Sequence, residues 1–219
     1  MIDLHTHTLF SDGVLLPAEL ARRAQVLGYR ALAFTDHVDS SNLDWVVPKI
    51  VAVCADLQPE MSITLIPGVE ITHVPPALIS RLVDQARDLG ARIVVVHGET
   101  ITEPVCPGTN KAAVESGIDI LAHPGLISRS VAELAASRGV CLEITTRKGH
   151  SIANGHVARL AREVGAPLVL DNDAHAPGDL VSLEFASQVA LGAGLSEAEW
   201  QEMRSMAQKL VDRAVSAAD

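Results

Sequence analysis

Cysteine, aromatic side chains and long apolar runs are all scarce in this chain, and each scarcity closes off a class of protein. Only three cysteines, Cys54, Cys106 and Cys141, occur among 219 residues. Their number is odd and none form a Cys-x-x-Cys pair, which argues against a disulfide framework or a thiolate zinc knuckle. The pattern fits a reducing cytoplasm, with all three expected as small buried apolar side chains. Six aromatic side chains and a formal charge of -10 supply neither stacking platforms nor basic grooves, so no duplex nucleic acid is expected as a partner. The apolar runs at 93–96 and 168–170 are too short to cross a bilayer, and no basic segment followed by an apolar one opens the chain. The expectation is a soluble, unexported, cytoplasmic protein without a membrane partner.

What is present is globular. Apolar residues make up 48% and charged residues 20%, no repeat or Gly/Ser linker divides the chain, and a single domain over 1–219 is expected. Short β-branched runs at 2–4, 31–34, 63–66, 93–96, 118–121, 140–144 and 168–170 alternate with helical patterns. The patterns cover 17–27, 76–89, 131–138 and 152–164, with a last helix over 197–214. Strand and helix in regular succession call for a parallel sheet with right-handed crossovers, either open or closed. Pro17 suits a first helical turn, and Gly28, Gly90, Gly139 and Gly165 suit left-handed caps before strands. Pro48 interrupts the apolar stretch 43–57, which predicts a late start or a kink there. The segment 99–109, with Pro104, Pro107 and Gly108, reads as a long loop suited to a lid.

The chemistry-bearing residues follow the strands. His5 and His7 end the first, Asp36 and His37 the second, Glu70 the third, His97 the fourth and His123 the fifth; Glu143 lies in the sixth, and Asp173 and His175 end the seventh. The carboxyl ends of parallel strands face the functional site. Within an extended segment, His5 and His7, and likewise Asp171, Asp173 and His175, project to one side. Of the adjacent Asp36 and His37, His37 is taken as the inward group and Asp36 as a carboxylate that orients an imidazole. Carboxylates gathered in one apolar cavity repel unless cations are present, and mixed imidazole and carboxylate donors without thiolate suit Zn, Mn or Fe. His73, His150 and His156 fall in loops or a helix and are expected on the solvated surface.

His5-Thr6-His7, Ser11-Asp12-Gly13, Thr35-Asp36-His37, Gly68-Val69-Glu70, His97-Gly98, His123-Pro124 and Asp173-Ala174-His175 together resemble the motif series of the PHP family, named for polymerase and histidinol phosphatase. The resemblance implies an α/β fold, a distorted (β/α)7 barrel of parallel strands with outer helices, carrying two or three divalent metal ions. It implies one ion on His5, His7, Glu70 and Asp173, a second on Glu70, His97 and His123, and a third on Asp12, His37 and His175. All nine positions carry a competent ligand, unlike the metal-free members of the family. The implied activity is hydrolysis of a phosphate ester by metal-activated hydroxide, with Glu70, Asp173 and His175 as catalytic candidates and a small phosphorylated metabolite as substrate.

Arg147 and Lys148 are candidate phosphate contacts just beyond the sixth strand, with His150 beside them. Glu99 and Glu143 stand either as polar site groups or as packing residues. Two other functions compete: a nucleotide or oligonucleotide phosphoesterase or exonuclease, disfavoured by charge and aromatic content, and a non-catalytic barrel in which metal only closes the fold.

Overall fold

The computed structural model describes residues 1–216. Its strands are β1 (Ile2–Asp3), β2 (Ala31–Phe34), β3 (His37–Val38), β4 (Thr64–Ile71), β5 (Ile93–His97), β6 (Ile120–Ala122), β7 (Cys141–Thr145) and β8 (Leu168–Asp171). All pairings are parallel, in the order β1-β2-β4-β5-β6-β7-β8, with β3 continuing the β2 position against β4. Seven strand positions therefore form the wall expected from the sequence. The nearly closed seam lies between β8 and β1, where Thr6 bridges Ala174 and His7 N–H donates to Ala174 O at 2.9 Å. Side chains replace the missing ladder below: Leu4 N–H donates to Asp171 Oδ1 at 2.6 Å, and Asn172 N–H to Asp3 Oδ1 at 3.1 Å.

The helices are α1 (Pro17–Val26), α2 (Leu43–Leu57), α3 (Pro76–Asp88), α4 (Thr109–Glu115), α5 (Arg129–Arg138), α6 (Asn154–Val164), α7 (Leu183–Gly192) and α8 (Glu197–Ser216). Pro17 and Pro76 open their helices, where a missing N–H costs nothing. Ser128 and Ser182 cap α5 and α7 by accepting from Val131 N and Phe185 N. Pro48 does not delay α2, which starts before it at Leu43 and runs through it. Burial of Leu43, Val46, Val47, Ile50 and Cys54 on one face outweighs the lost hydrogen bond.

Two apolar cores explain the barrel. Residues such as Leu32, Phe34, Val94, Leu121 and Leu142 pack outward against the helices. Ala31, Ala33, Ile66, Ile93, Val95, Ile120, Cys141 and Val169 fill the interior, and Ala207, Leu210, Val211 and Ala214 of α8 pack on them. With its first core-forming end closed by α8, the barrel leaves its carboxyl-end mouth for polar groups. No helix among the described residues is long and apolar enough to cross a membrane.

Candidate metal centre

The period of two that fills the interior also delivers the polar groups. Counting on from Ala33, Ile66, Val95 and Cys141 leads to His37, Glu70, His97 and Glu143 at the carboxyl ends. Their side chains, with those of His5, His7, His123 and Asp173, converge at the mouth. Among the described residues, three non-glycine residues have positive φ, His73 (53°), His123 (27°) and Asp173 (52°), and all three lie here. Such backbone strain persists only where surrounding contacts hold it.

Among the described residues five overlapping groups of donor atoms result, each with all its ligand atoms within 4.8 Å of one another: His5, His7 and Glu70; His5, His123 and Asp173; His7, Asp12, His37 and His175; His97, His123 and His150; His73, His97 and Glu103. All nine residues expected as ligands occur in these groups. Glu70 is central, with Oε1 3.4 Å from His5 Nε2 and 3.8 Å from His123 Nε2, and Oε2 2.6 Å from His37 Nδ1 and 3.7 Å from His7 Nε2. Asp173 Oδ1 lies 3.2 Å from His7 Nε2, and Asp12 Oδ1 3.2 Å from His175 Nε2.

The tautomers test whether these residues fit cations. His5 Nδ1 is 2.7 Å from Glu143 Oε1, His97 Nδ1 3.1 Å from Gly98 O, and His175 Nδ1 2.9 Å from Asp173 O. Those oxygens only accept, so each Nδ1 carries a proton and each ring, in its neutral form, turns a bare Nε2 lone pair toward a carboxylate. Lone pair facing lone pair is stable only with a cation or a second proton between them. Protonating every ring is costly, because the His7 ring centroid lies 4.1 Å from that of His175, 4.2 Å from His37 and 5.1 Å from His5. His5 Nε2, both nitrogens of His7, Glu70 Oε1 and His123 Nδ1 are buried without hydrogen-bond partners. The donor set fits divalent metal ions.

The titration balance agrees. Burial, then the charge of His37, lowers His7 well below the ordinary imidazole range; burial, then His97, does the same to His123. Both rings stay neutral and free to ligate. Burial would raise Glu70, but His5 and His37 outweigh it and hold the carboxyl well below its usual range. Burial pushes Asp173 up to about 7 against the pull of His5. Burial would lower His5, yet Glu143, Glu70 and Asp173 lift it well above the ordinary value, so proton and metal compete for its Nε2.

Several expectations change. His73 and His150 are not simply solvated: His73 Nε2 is 3.0 Å and His150 Nε2 3.4 Å from the Glu103 carboxylate, and the His150 ring stacks on His123 at 4.2 Å. His156 does lie apart, with Nε2 bonded to Ile127 O at 2.8 Å. Asp36 orients no imidazole; it accepts from Thr8 N, Thr8 Oγ1 and Ser11 Oγ and so pins the turn that presents Asp12. Asp171 leaves the Asp173 face to serve the seam, because the left-handed backbone at Asp173 breaks the alternation. Glu143 is a positioning group, holding His5 Nδ1 and, at 2.8 Å, His123 N–H. Glu99 holds the loop, accepting from Gly108 N and Asn110 N. Cys54 and Cys141 are buried, but Cys106 is exposed on the 99–109 loop.

Arg147 reaches the rim, with Nε 4.0 Å from Asp173 Oδ2 and Nη1 donating to Asp179 Oδ2 at 3.0 Å. Lys148 is exposed and, with Arg147, Asn172 and Phe185, lines a cavity of about 330 Å³ beside the centre. Sequence reasoning missed Glu103; its signal was membership of the proline-rich loop after the fourth strand.

A family model described as the PHP domain matches residues 3–90, the stretch bearing His5, His7, Asp12, His37 and Glu70. The chain is 50% identical over 199 residues to an uncharacterized protein of Methanocaldococcus jannaschii, spanning 90% of this chain and 91% of that one. It is 28% identical over 220 residues to a probable phosphatase of Shewanella sp. (strain ANA-3), spanning 86% and 81%. In fold it is similar to the histidinol phosphate phosphatase of Lactococcus lactis complexed with zinc, L-histidinol and phosphate, with a TM-score of 0.59 at 16% identity over 95% of this chain and 93% of that one.

Proposed function

The chain belongs to the PHP family, and from that premise we propose that it is a metal-dependent phosphoesterase acting on a small phosphorylated metabolite. The observation that carries the reading is the set of imidazole Nε2 atoms turned onto the Glu70, Asp173 and Asp12 carboxylates. His5, His7, Glu70 and Asp173 would hold one ion, Glu70, His97 and His123 a second, and Asp12, His37 and His175 a third. When bound, such ions lower the pKa of water toward neutrality and neutralise charge on phosphate oxygens.

The protein's own groups supply the rest. Glu70, Asp173 and His175 are the catalytic candidates. Asp173 would bind the first ion, and its Oδ2, the oxygen 3.7 Å from His123 Nε2, is the one placed to take a proton. Glu143 keeps His5 and His123 in place. Arg147, steadied by Asp179, would hold phosphoryl oxygens through its remaining donors, and Lys148 would meet charge on the substrate body in the neighbouring cavity. That cavity, at about 330 Å³, suits a small molecule.

The test is elemental analysis of protein purified without chelator, paired with phosphate release from a panel of mono- and diesters. Two or three transition ions per chain, with turnover abolished by chelator, support the reading. Ions without turnover on any ester would favour the metal-bearing scaffold, and absence of metal binding would overturn the ligand set.

A further inference from the structure

Beyond the nine strand-end and turn residues, one more acid enters the centre. Glu103 lies on the 99–109 loop, and its carboxylate meets three imidazoles: Oε2 is 3.0 Å from His73 Nε2 and 3.1 Å from His97 Nε2, and Oε1 is 3.4 Å from His150 Nε2. A surface ion pair with His73 alone would leave this arrangement unexplained, because the His97 side chain is only 4% exposed.

The contact with His97 is the informative one. Gly98 O takes the proton of His97 Nδ1, so in its neutral form the ring offers Glu103 a lone pair rather than an N–H. The same nitrogen is the one His97 would use toward a metal, and the Glu103 oxygen stands against it, where a shared cation would join them. His150 meets the other oxygen while Thr100 Oγ1, 2.8 Å from His150 Nδ1, fixes its ring. His73, held at a left-handed φ of 53°, closes the third side. Three neighbours and a strained backbone thus aim one loop carboxylate at His97, which also belongs to the His97, His123 and His150 group.

We propose that Glu103 is a tenth protein ligand, for the cation held by His97 and His123, and that it is exchangeable, giving up its position to substrate phosphate. The proposal rests on the metal-dependent reading above. A catalytic metal needs an open position, and a carboxylate fills one that an anionic phosphate oxygen also seeks. His97 and His123 are fixed at strand ends, whereas Glu103 is 38% exposed and carried by the loop, so it is the donor that can leave. The loop would then act as a lid whose latch is a metal ligand, keeping the resting centre saturated and opening it to anions that bind the ion better than one carboxylate does.

The experiment uses wild-type protein, Glu103→Gln and Glu103→Ala, each loaded with Mn²⁺, with inorganic phosphate as the second probe. Ions retained per chain are counted across a chelator series, and phosphate affinity is measured by calorimetry; denaturant midpoints confirm that the exposed substitution leaves the fold intact. Loss of one ligand is expected to loosen one ion of the set by about tenfold or more while the others hold. Removing the competing carboxylate is expected to tighten inorganic phosphate by a comparable factor on protein kept saturated with Mn²⁺. Unchanged ion retention overturns the ligand role, and weaker phosphate binding on the saturated variants overturns the exchange. If wild-type protein binds no Mn²⁺ or other transition ion, the metal-dependent reading itself fails; if wild type binds its ions and both variants match it, only the role of Glu103 fails.

Discussion

Replacing Glu143 with glutamine should separate metal affinity from stability. One Glu143 carboxylate serves two donors, His5 Nδ1 at 2.7 Å and the backbone N–H of His123 at 2.8 Å. Glutamine has one oxygen, and the backbone N–H cannot change its character, so the amide oxygen goes to His123 and the NH2 turns to His5. The His5 ring then shifts its proton to Nε2, where Glu70 Oε1 waits at 3.4 Å, and the metal-free protein keeps its hydrogen bonds. Metal binding must reverse that shift and set Nδ1–H against NH2, leaving a buried donor unmatched. The penalty is about 1–3 kcal/mol, or roughly 5- to 150-fold in affinity. Chelator competition reports the affinity and urea denaturation of chelator-treated protein reports the stability. Metal affinity within twofold of wild type would refute the tautomer argument. So would a metal-free stability loss as large as the loss in binding energy, since the cost would then lie in the fold.

Other tests address charge, backbone and substrate. Between pH 6.5 and 8.5 the metal-free protein should lose stability. Asp3 and Asp173 are raised to about 7, so the folded state holds protons that the unfolded state has released; stability present at lower pH is lost as pH rises through that value, by about 1 kcal/mol from each. His5, His37 and His97, also raised, act in the same direction, while the lowered His7 and His123 act against it, and only over the lower part of the window, where the unfolded rings still release protons. Urea midpoints with and without Mn²⁺ check this: a metal-free midpoint that climbs across the window contradicts it, and bound ions should flatten the fall. Gly125→Ala should destabilise by on the order of 3 kcal/mol, since φ is 59° and a Cβ would sit 1.9 Å from Glu99 O; thermal unfolding unchanged from wild type would deny that close approach. Arg147→Lys should raise KM for the phosphorylated substrate by about tenfold with metal content unchanged, because a point charge cannot keep both the Asp179 bond and a second planar contact.

The wall of the barrel could be read from the sequence because the relevant rules are local. β-branched runs such as Ile93–His97 alternate with amphipathic helices, and the interior residues of β2, β4, β5 and β7 keep a period of two up to His37, Glu70, His97 and Glu143. What was hidden depends on contacts between distant segments or on exceptions to that period. Two carboxylates at positions 36 and 143 were visible, but which donors they take is decided by Thr8 and Ser11 in one case and by His5 and His123 in the other.

The exceptions concentrate where the chemistry does. Asp171 and Asp173 are two apart on one strand and by alternation should share a face; the left-handed turn at Asp173 frees its carboxylate for the imidazoles while Asp171 closes the seam. His123 turns out of register right after the interior residue Ala122, and His73 turns onto Glu103 from beyond β4. A periodic strand can present one polar group per two residues at its end, fewer than a centre of several adjacent cations needs. Each departure from the period adds a donor that regular geometry would have sent elsewhere, and the strain at His73, His123 and Asp173 is sustained by neighbours that are themselves buried or paired. The residues least predictable from pattern are therefore the ones on which the centre's density of ligands depends.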